Sequence, residues 1–115
     1  MPPSRGWGLR VEDILGSITA IQTYTEGMTF ELFAADERTV DAVLRNFGVI
    51  GEAANHLPES IQLANPSIPI DAMRAMRNFV IHEYFGVSKE ILWKTLQEDL
   101  PPLVAPLRAL LGKEL

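Results

Sequence analysis

Asp36-Glu37-Arg38-Thr39-Val40-Asp41-Ala42-Val43-Leu44-Arg45-Asn46-Phe47-Gly48-Val49-Ile50-Gly51-Glu52-Ala53-Ala54 is the stretch that decides the fold. Val40, Val43, Leu44, Phe47, Ile50 and Ala54 recur at steps of three and four, which lines one face of an α-helix with apolar side chains. Asp36 sits where an N-cap is needed, because its carboxylate accepts a hydrogen bond from an otherwise unpaired N–H of the first turn. Pro58 ends or redirects the helix, and itself suits the first turn of a short helix through Leu63.

The same periodicity extends in both directions. Upstream, Val11, Ile14, Leu15, Ile18 and Ile21 predict a helix that stops at Gly27, with Gly6 and Gly8 loosening its start. Thr29 to Ala34 reads as a short helical turn. Downstream, Asn65-Pro66-Ser67-Ile68-Pro69 reads as an extended connector, since residues before proline avoid the α region. A further helix is expected from about Asp71 to Tyr84, with Gly86 as its stop. Ser88 then caps a helix carrying Ile91, Leu92, Leu96 and Leu100. Pro101-Pro102 kinks or restarts it, and Leu103, Leu107, Leu110 and Leu111 form a final amphipathic segment. Strand alternation is weak throughout. These readings give one all-α domain over residues 1–115, an up-and-down bundle of four main helices plus short helical pieces.

Composition narrows the chemistry. The 115 residues include no cysteine, which excludes disulfides, thiolate metal sites and a cysteine nucleophile. That usage fits a reducing, cytoplasmic setting. No apolar run approaches the ~18 residues that span a bilayer, and Met1 to Gly8 lacks the apolar core of a signal peptide. The net charge of −5 argues against a broad nucleic-acid track, but leaves room for a compact site where a few arginines grip one phosphate.

Such a site is suggested by Arg77-Asn78-Phe79-Val80-Ile81-His82-Glu83-Tyr84. On an ideal helix, Ala72, Met73, Met76, Phe79 and Val80 fall within an arc of roughly 120°, the expected core face. Arg74, Arg77, Asn78 and His82 lie on the opposite side, with Ile81 and Phe85 among them. Apolar residues inside a polar arc suit a partner surface, and a twofold dimer would use one patch on both chains. Arg77 and His82 diverge by about 140° on one regular helix, so convergence on a substrate is easier across a dimer. Histidine moves protons near neutral pH, and arginine holds phosphate bidentately while stabilising developing negative charge. Together they suffice for cleavage of RNA without a metal. Taken without further context, the same residues also fit plain solvent or interface positions.

Arginine, four residues, histidine, one residue and tyrosine is the signature of HepT-type HEPN proteins, met here as Arg77, His82 and Tyr84. The chain resembles that family well beyond the motif, in Val11 to Leu15, Asp36 to Thr39, Arg45-Asn46, Ile50 to Ala54, Met76 to Asn78, His82 to Val87 and Glu98 to Pro101. Ile70 departs from it, standing where many relatives have tryptophan. The resemblance implies a HEPN domain, a homodimer and a metal-independent endoribonuclease toxin with no cofactor. It makes Arg77, His82 and Asn78 the catalytic set, acting on an RNA substrate in a composite site at the dimer interface. It also implies a partner, a minimal nucleotidyltransferase antitoxin of the MntA type that transfers AMP to Tyr84. Arg74 and Arg45 are candidate secondary phosphate contacts, and Ile81 and Phe85 candidate interface residues.

Other candidates are weaker. Glu52 and His56 have i,i+4 metal-ligand spacing but lack a third ligand, so no metal site is assigned. Glu52 is expected to be a polar partner near the dimer seam, pairing with Arg45. Trp7 and Trp93 read as packing or interface residues. Two competing functional readings remain: a non-catalytic HEPN module that partners a nucleotidyltransferase, favoured mildly by the acidic balance, and an oligomer-forming structural protein without chemistry.

Overall fold

In the computed structural model, residues 4–81 and 88–112 are described, and among them there is no strand. The fold is all-α. Two long helices form its centre: α1 (Ser4–Thr25) and α3 (Glu37–Asn55), which pack against each other more extensively than any other pair. Val11, Ile14, Ile18 and Ile21 of α1, together with Val43, Phe47, Ile50 and Ala54 of α3, are completely buried. The three-and-four spacing therefore produces the bundle seam directly. Gly27 ends the turn after α1 with φ +75°, a left-handed conformation that suits a residue without Cβ.

The short α2 (Phe30–Ala35) starts at Thr29, whose hydroxyl oxygen accepts from the Leu32 N–H at 3.2 Å. Asp36 then caps α3: Oδ1 accepts from the Thr39 N–H at 3.1 Å and Oδ2 from the Thr39 hydroxyl at 2.9 Å. Beyond α3, Pro58 occupies the N-cap of α4 (Glu59–Ala64) rather than its first turn.

The expected single helix from Asp71 is not continuous. It forms α5 (Ile70–Ala75), breaks at Met76-Arg77, and resumes as α6 (Asn78–Ile81). At the break the amides of Met76, Arg77 and Phe79 donate to carbonyls three residues back, at 3.1, 3.4 and 3.2 Å. The break lies where the chain is pressed against α3 at Gly51, so tertiary packing overrides the local helical pattern. Wheel angles drawn across residues 71–84 do not hold through this point. Residues 82–84 of the expected helix lie outside the described residues.

Ser88 caps α7 (Lys89–Lys94), accepting from the Ile91 N–H at 3.2 Å. Trp93 packs beside Phe33 of α2, with ring centroids 5.1 Å apart, and the Lys89 ammonium donates to the Ala34 carbonyl at 2.8 Å. The helix then widens into a π-turn over Thr95–Asp99, where the Leu100 amide donates to the Thr95 carbonyl at 3.3 Å. Pro101 and Pro102 have no amide to continue the ladder, so the chain tightens to a 3₁₀ turn before α8 (Val104–Gly112). Leu92, Leu96, Leu100, Leu103, Leu107 and Leu110 are buried as expected. Ile91 is not: it is 55% exposed, one position behind the Leu92/Leu96 line that faces the core.

The Asp36 cap makes a pH-dependent contribution. Hydrogen bonds from the Thr39 amide and hydroxyl hold the Asp36 carboxyl below its ordinary value, with a smaller effect from Arg38. A lowered folded-state pKa gives stability that is complete above the unfolded value and is lost as pH falls through the folded one. Asp36→Asn keeps an acceptor but cannot titrate. Urea unfolding should show wild type ahead of the variant at neutral pH, with the gap closing as pH falls below about 4.

Candidate functional site around the α5–α6 junction

Arg77 and Asn78 straddle the start of α6, and both are exposed. Neither makes a side-chain hydrogen bond or ion pair among the described residues. Their backbone, by contrast, is tightly held. Gly51 of α3 is buried directly beneath it, and a Cβ at that position would lie 2.6 Å from the Arg77 nitrogen, 2.7 Å from the Arg77 Cβ and 3.1 Å from the Arg74 carbonyl oxygen. One turn earlier on α3, Phe47 meets Phe79 of α6 with ring centroids 5.0 Å apart. Two contacts thus hold the junction on α3, while the Arg77 and Asn78 side chains face outward.

Arg74 has a different role from the one its sequence position suggested. It is half-buried, and its Nη1 donates to Gln62 Oε1 at 3.0 Å and to Asp71 Oδ1 at 2.9 Å. Among the described residues its Nε is buried without a partner. The guanidinium therefore braces α5 against α4 rather than standing free beside Arg77. Met73 and Met76 are buried on the expected core face, and Phe79 is half-buried, but Ala72 is exposed.

Arg45 is exposed on another side of α3. It lines a cleft of about 460 Å³ between α1 and α3 with Arg10, Asp13, Asp41 and Glu52. Glu52 pairs with His56 at 3.0 Å and not with Arg45. The spacing explains this: His56 is one turn away, whereas Arg45 is two turns back, about 10 Å along the axis. Among the described residues no group of three or more potential metal ligands occurs. A second cleft, about 640 Å³, lies between α5–α6 and the proline-rich segment, lined by Met73, Met76, Phe79, Glu98, Asp99 and Pro102.

His82, Tyr84 and Phe85 lie outside the described residues, as does the side chain of Ile81. The described half of the site offers what a phosphate needs: an outward guanidinium on a pinned backbone, with a carboxamide next to it. The residue expected to move protons, His82, lies outside the described residues. Sequence reasoning passed over the structural importance of Gly51. A glycine within an apolar helical stripe is the available signal, since it marks either lost stability or a close backbone approach.

Comparison with known proteins bears on the family. The family description "Ribonuclease HepT-like" matches residues 14–110. A Thermococcus cleftensis protein named "Probable ribonuclease HepT" is 42% identical over 93 residues, covering 81% of this chain and 84% of the relative. A Methanocaldococcus jannaschii protein bearing an RNase name is 39% identical over 89 residues, covering 77% and 74%. A Caldanaerobacter subterraneus protein, also bearing an RNase name, is 33% identical over 104 residues, covering 90% and 93%. No solved structure matches the chain. A match over most of its length, joined to relatives of similar size, places this chain in the HepT-like ribonuclease family.

Proposed function

We propose that the chain is a metal-independent endoribonuclease, the toxin of a toxin–antitoxin pair, whose active site is completed by a second copy. The observation that carries this is the outward display of Arg77 and Asn78 on a backbone fixed by Gly51, in a member of a ribonuclease family. In the proposed reaction the RNA 2′-oxygen attacks the adjacent phosphorus and the bond from phosphorus to the 5′-oxygen breaks. His82 takes the proton from the 2′-hydroxyl and returns one to the leaving 5′-oxygen. Arg77 holds the phosphate and stabilises the charge that builds on it, and Asn78 orients the phosphate or the imidazole. The products are a 2′,3′-cyclic phosphate and a 5′-hydroxyl.

In this reading a second copy of the chain completes the site. A domain of this size leaves a large fraction of its surface exposed, and Ile81 and Phe85 are the apolar residues that a twofold partner would cover. Tyr84 is the proposed control point. Its phenolic oxygen would attack the α-phosphorus of ATP on a nucleotidyltransferase antitoxin of the MntA type, releasing pyrophosphate. The added phosphate charge and adenosine beside Arg77 would then exclude RNA. Arg45 is a secondary phosphate contact in this reading. Arg74, engaged by Asp71 and Gln62, serves better as a brace than as a second contact.

The net charge of −5 favours one alternative, a non-catalytic module that recruits the nucleotidyltransferase. Cleavage separates the two. The purified chain should cut RNA in EDTA, and His82→Ala should slow cutting by roughly 10²–10⁴-fold. A rate untouched by His82→Ala would remove the catalytic assignment. Incubation with the partner enzyme and ATP should add the mass of AMP to intact protein but not to Tyr84→Phe. Modification without any RNase activity in the unmodified protein would favour the recruiting module.

A further inference from the structure

From the contact beneath the α5–α6 junction, we infer that Gly51 is a positioning residue for Arg77, so that the absence of a side chain on α3 sets where the guanidinium stands. This rests on the reading of Arg77 as the phosphate-binding group. Gly51 is buried, and its backbone lies against that of Arg77 with no room for a methyl. A Cβ there would fall 2.6 Å from the Arg77 nitrogen, against 3.4 Å for the start of ordinary contact, so the backbone would move by roughly 0.8 Å. The obstructing atoms are main chain and the first side-chain atom. No flexible tip is available to swing aside. Whichever side yields, the root of Arg77 changes its position relative to α3.

Three other helical glycines make no such contact. Gly6, Gly16 and Gly112 also lie in helices, and a Cβ at any of them meets nothing within 4 Å. Helix propensity alone would favour alanine at all of these positions. At position 51 alanine is sterically opposed, and the atoms opposing it belong to the residue assigned to the phosphate. The break at Met76-Arg77 fits the same cause. A continuous helix from Asp71 would carry its own backbone past α3, whereas two turn residues let Arg77 settle onto the glycine and α6 restart from a fixed point. The Phe47/Phe79 contact then holds α6 at its other side.

Position matters for this side chain. A guanidinium binds phosphate as a rigid planar fork, whereas a lysine ammonium is a point charge on a flexible stem that finds its anion from a range of roots. Displacement of a substrate-holding group by about 1 Å costs on the order of 100-fold in rate. Moving the backbone at residue 77 should therefore be damaging with arginine there and well tolerated with lysine. A purely structural defect would depress both backgrounds equally.

The test measures single-turnover RNA cleavage in the full-length protein for wild type, Gly51→Ala, Arg77→Lys and the double variant. Gly16→Ala serves as the control for glycine replacement in a helix. Gly51→Ala should cut cleavage about 100-fold at saturating RNA in the wild-type background, but by less than about threefold in the Arg77→Lys background. Gly16→Ala should leave the rate unchanged. Equal losses in both backgrounds, or a wild-type rate in Gly51→Ala, would overturn the inference. A wild-type rate in Arg77→Lys would instead defeat the fork role of Arg77, and the inference with it. Should circular dichroism show Gly51→Ala unfolded at the assay temperature, Phe47→Leu loosens the other contact under α6. It should give the same dependence on the residue at 77, and equal losses would again overturn the inference.

Discussion

With no side chain on Gly51, the main chain of α3 and the main chain of Arg77 meet directly, and much of the local architecture depends on that contact. The contact divides an otherwise regular helical segment into α5 and α6. Beside it Met73 and Met76 are buried on the inner side, and Arg77 and Asn78 are exposed. A larger residue would separate the two segments by most of an ångström, in an interior where packed elements do not deform freely.

The rest of the fold keeps α3 in place for this role. Asp36 and Thr39 fix its first turn, and α1 covers one flank with four fully buried aliphatic residues. Phe47 anchors α6, and Arg74 ties α5 to α4 through Asp71 and Gln62. Ordinary helix capping and core packing thus converge on one exposed pair of polar residues. Among the described residues the Nε of Arg74 is buried without a partner, so this brace is not fully satisfied, and both of its hydrogen bonds run through Nη1.

Much of this was legible in the sequence. The stripes in α1 and α3, the caps at Asp36 and Ser88, the stop at Gly27 and the interruption at Pro101-Pro102 each follow from local rules, and the described structure bears them out. Family membership was legible from the motif and its surroundings, and the comparisons show it. The break at Met76-Arg77 was not, because it arises from contact with a helix some twenty-five residues earlier. Periodicity cannot register such a contact. The Glu52 partner was missed for a simpler reason: His56, one turn on, is nearer than Arg45, two turns back. By sequence Ile91 groups with Leu92, Leu96 and Leu100 on the helix that Ser88 caps, whereas the bundle buries Leu92 and leaves Ile91 exposed.

The proposed active site joins Arg77 of one copy to His82 of another. Mixing subunits tests that claim most directly. Arg77→Ala and His82→Ala proteins, each inactive alone, would be co-refolded and assayed for RNA cleavage in EDTA. A composite site predicts recovered activity, because each mixed dimer regains one intact arginine–histidine pair across the interface. Persistent inactivity in mixed dimers that have demonstrably formed would contradict the account and return both residues to a single chain.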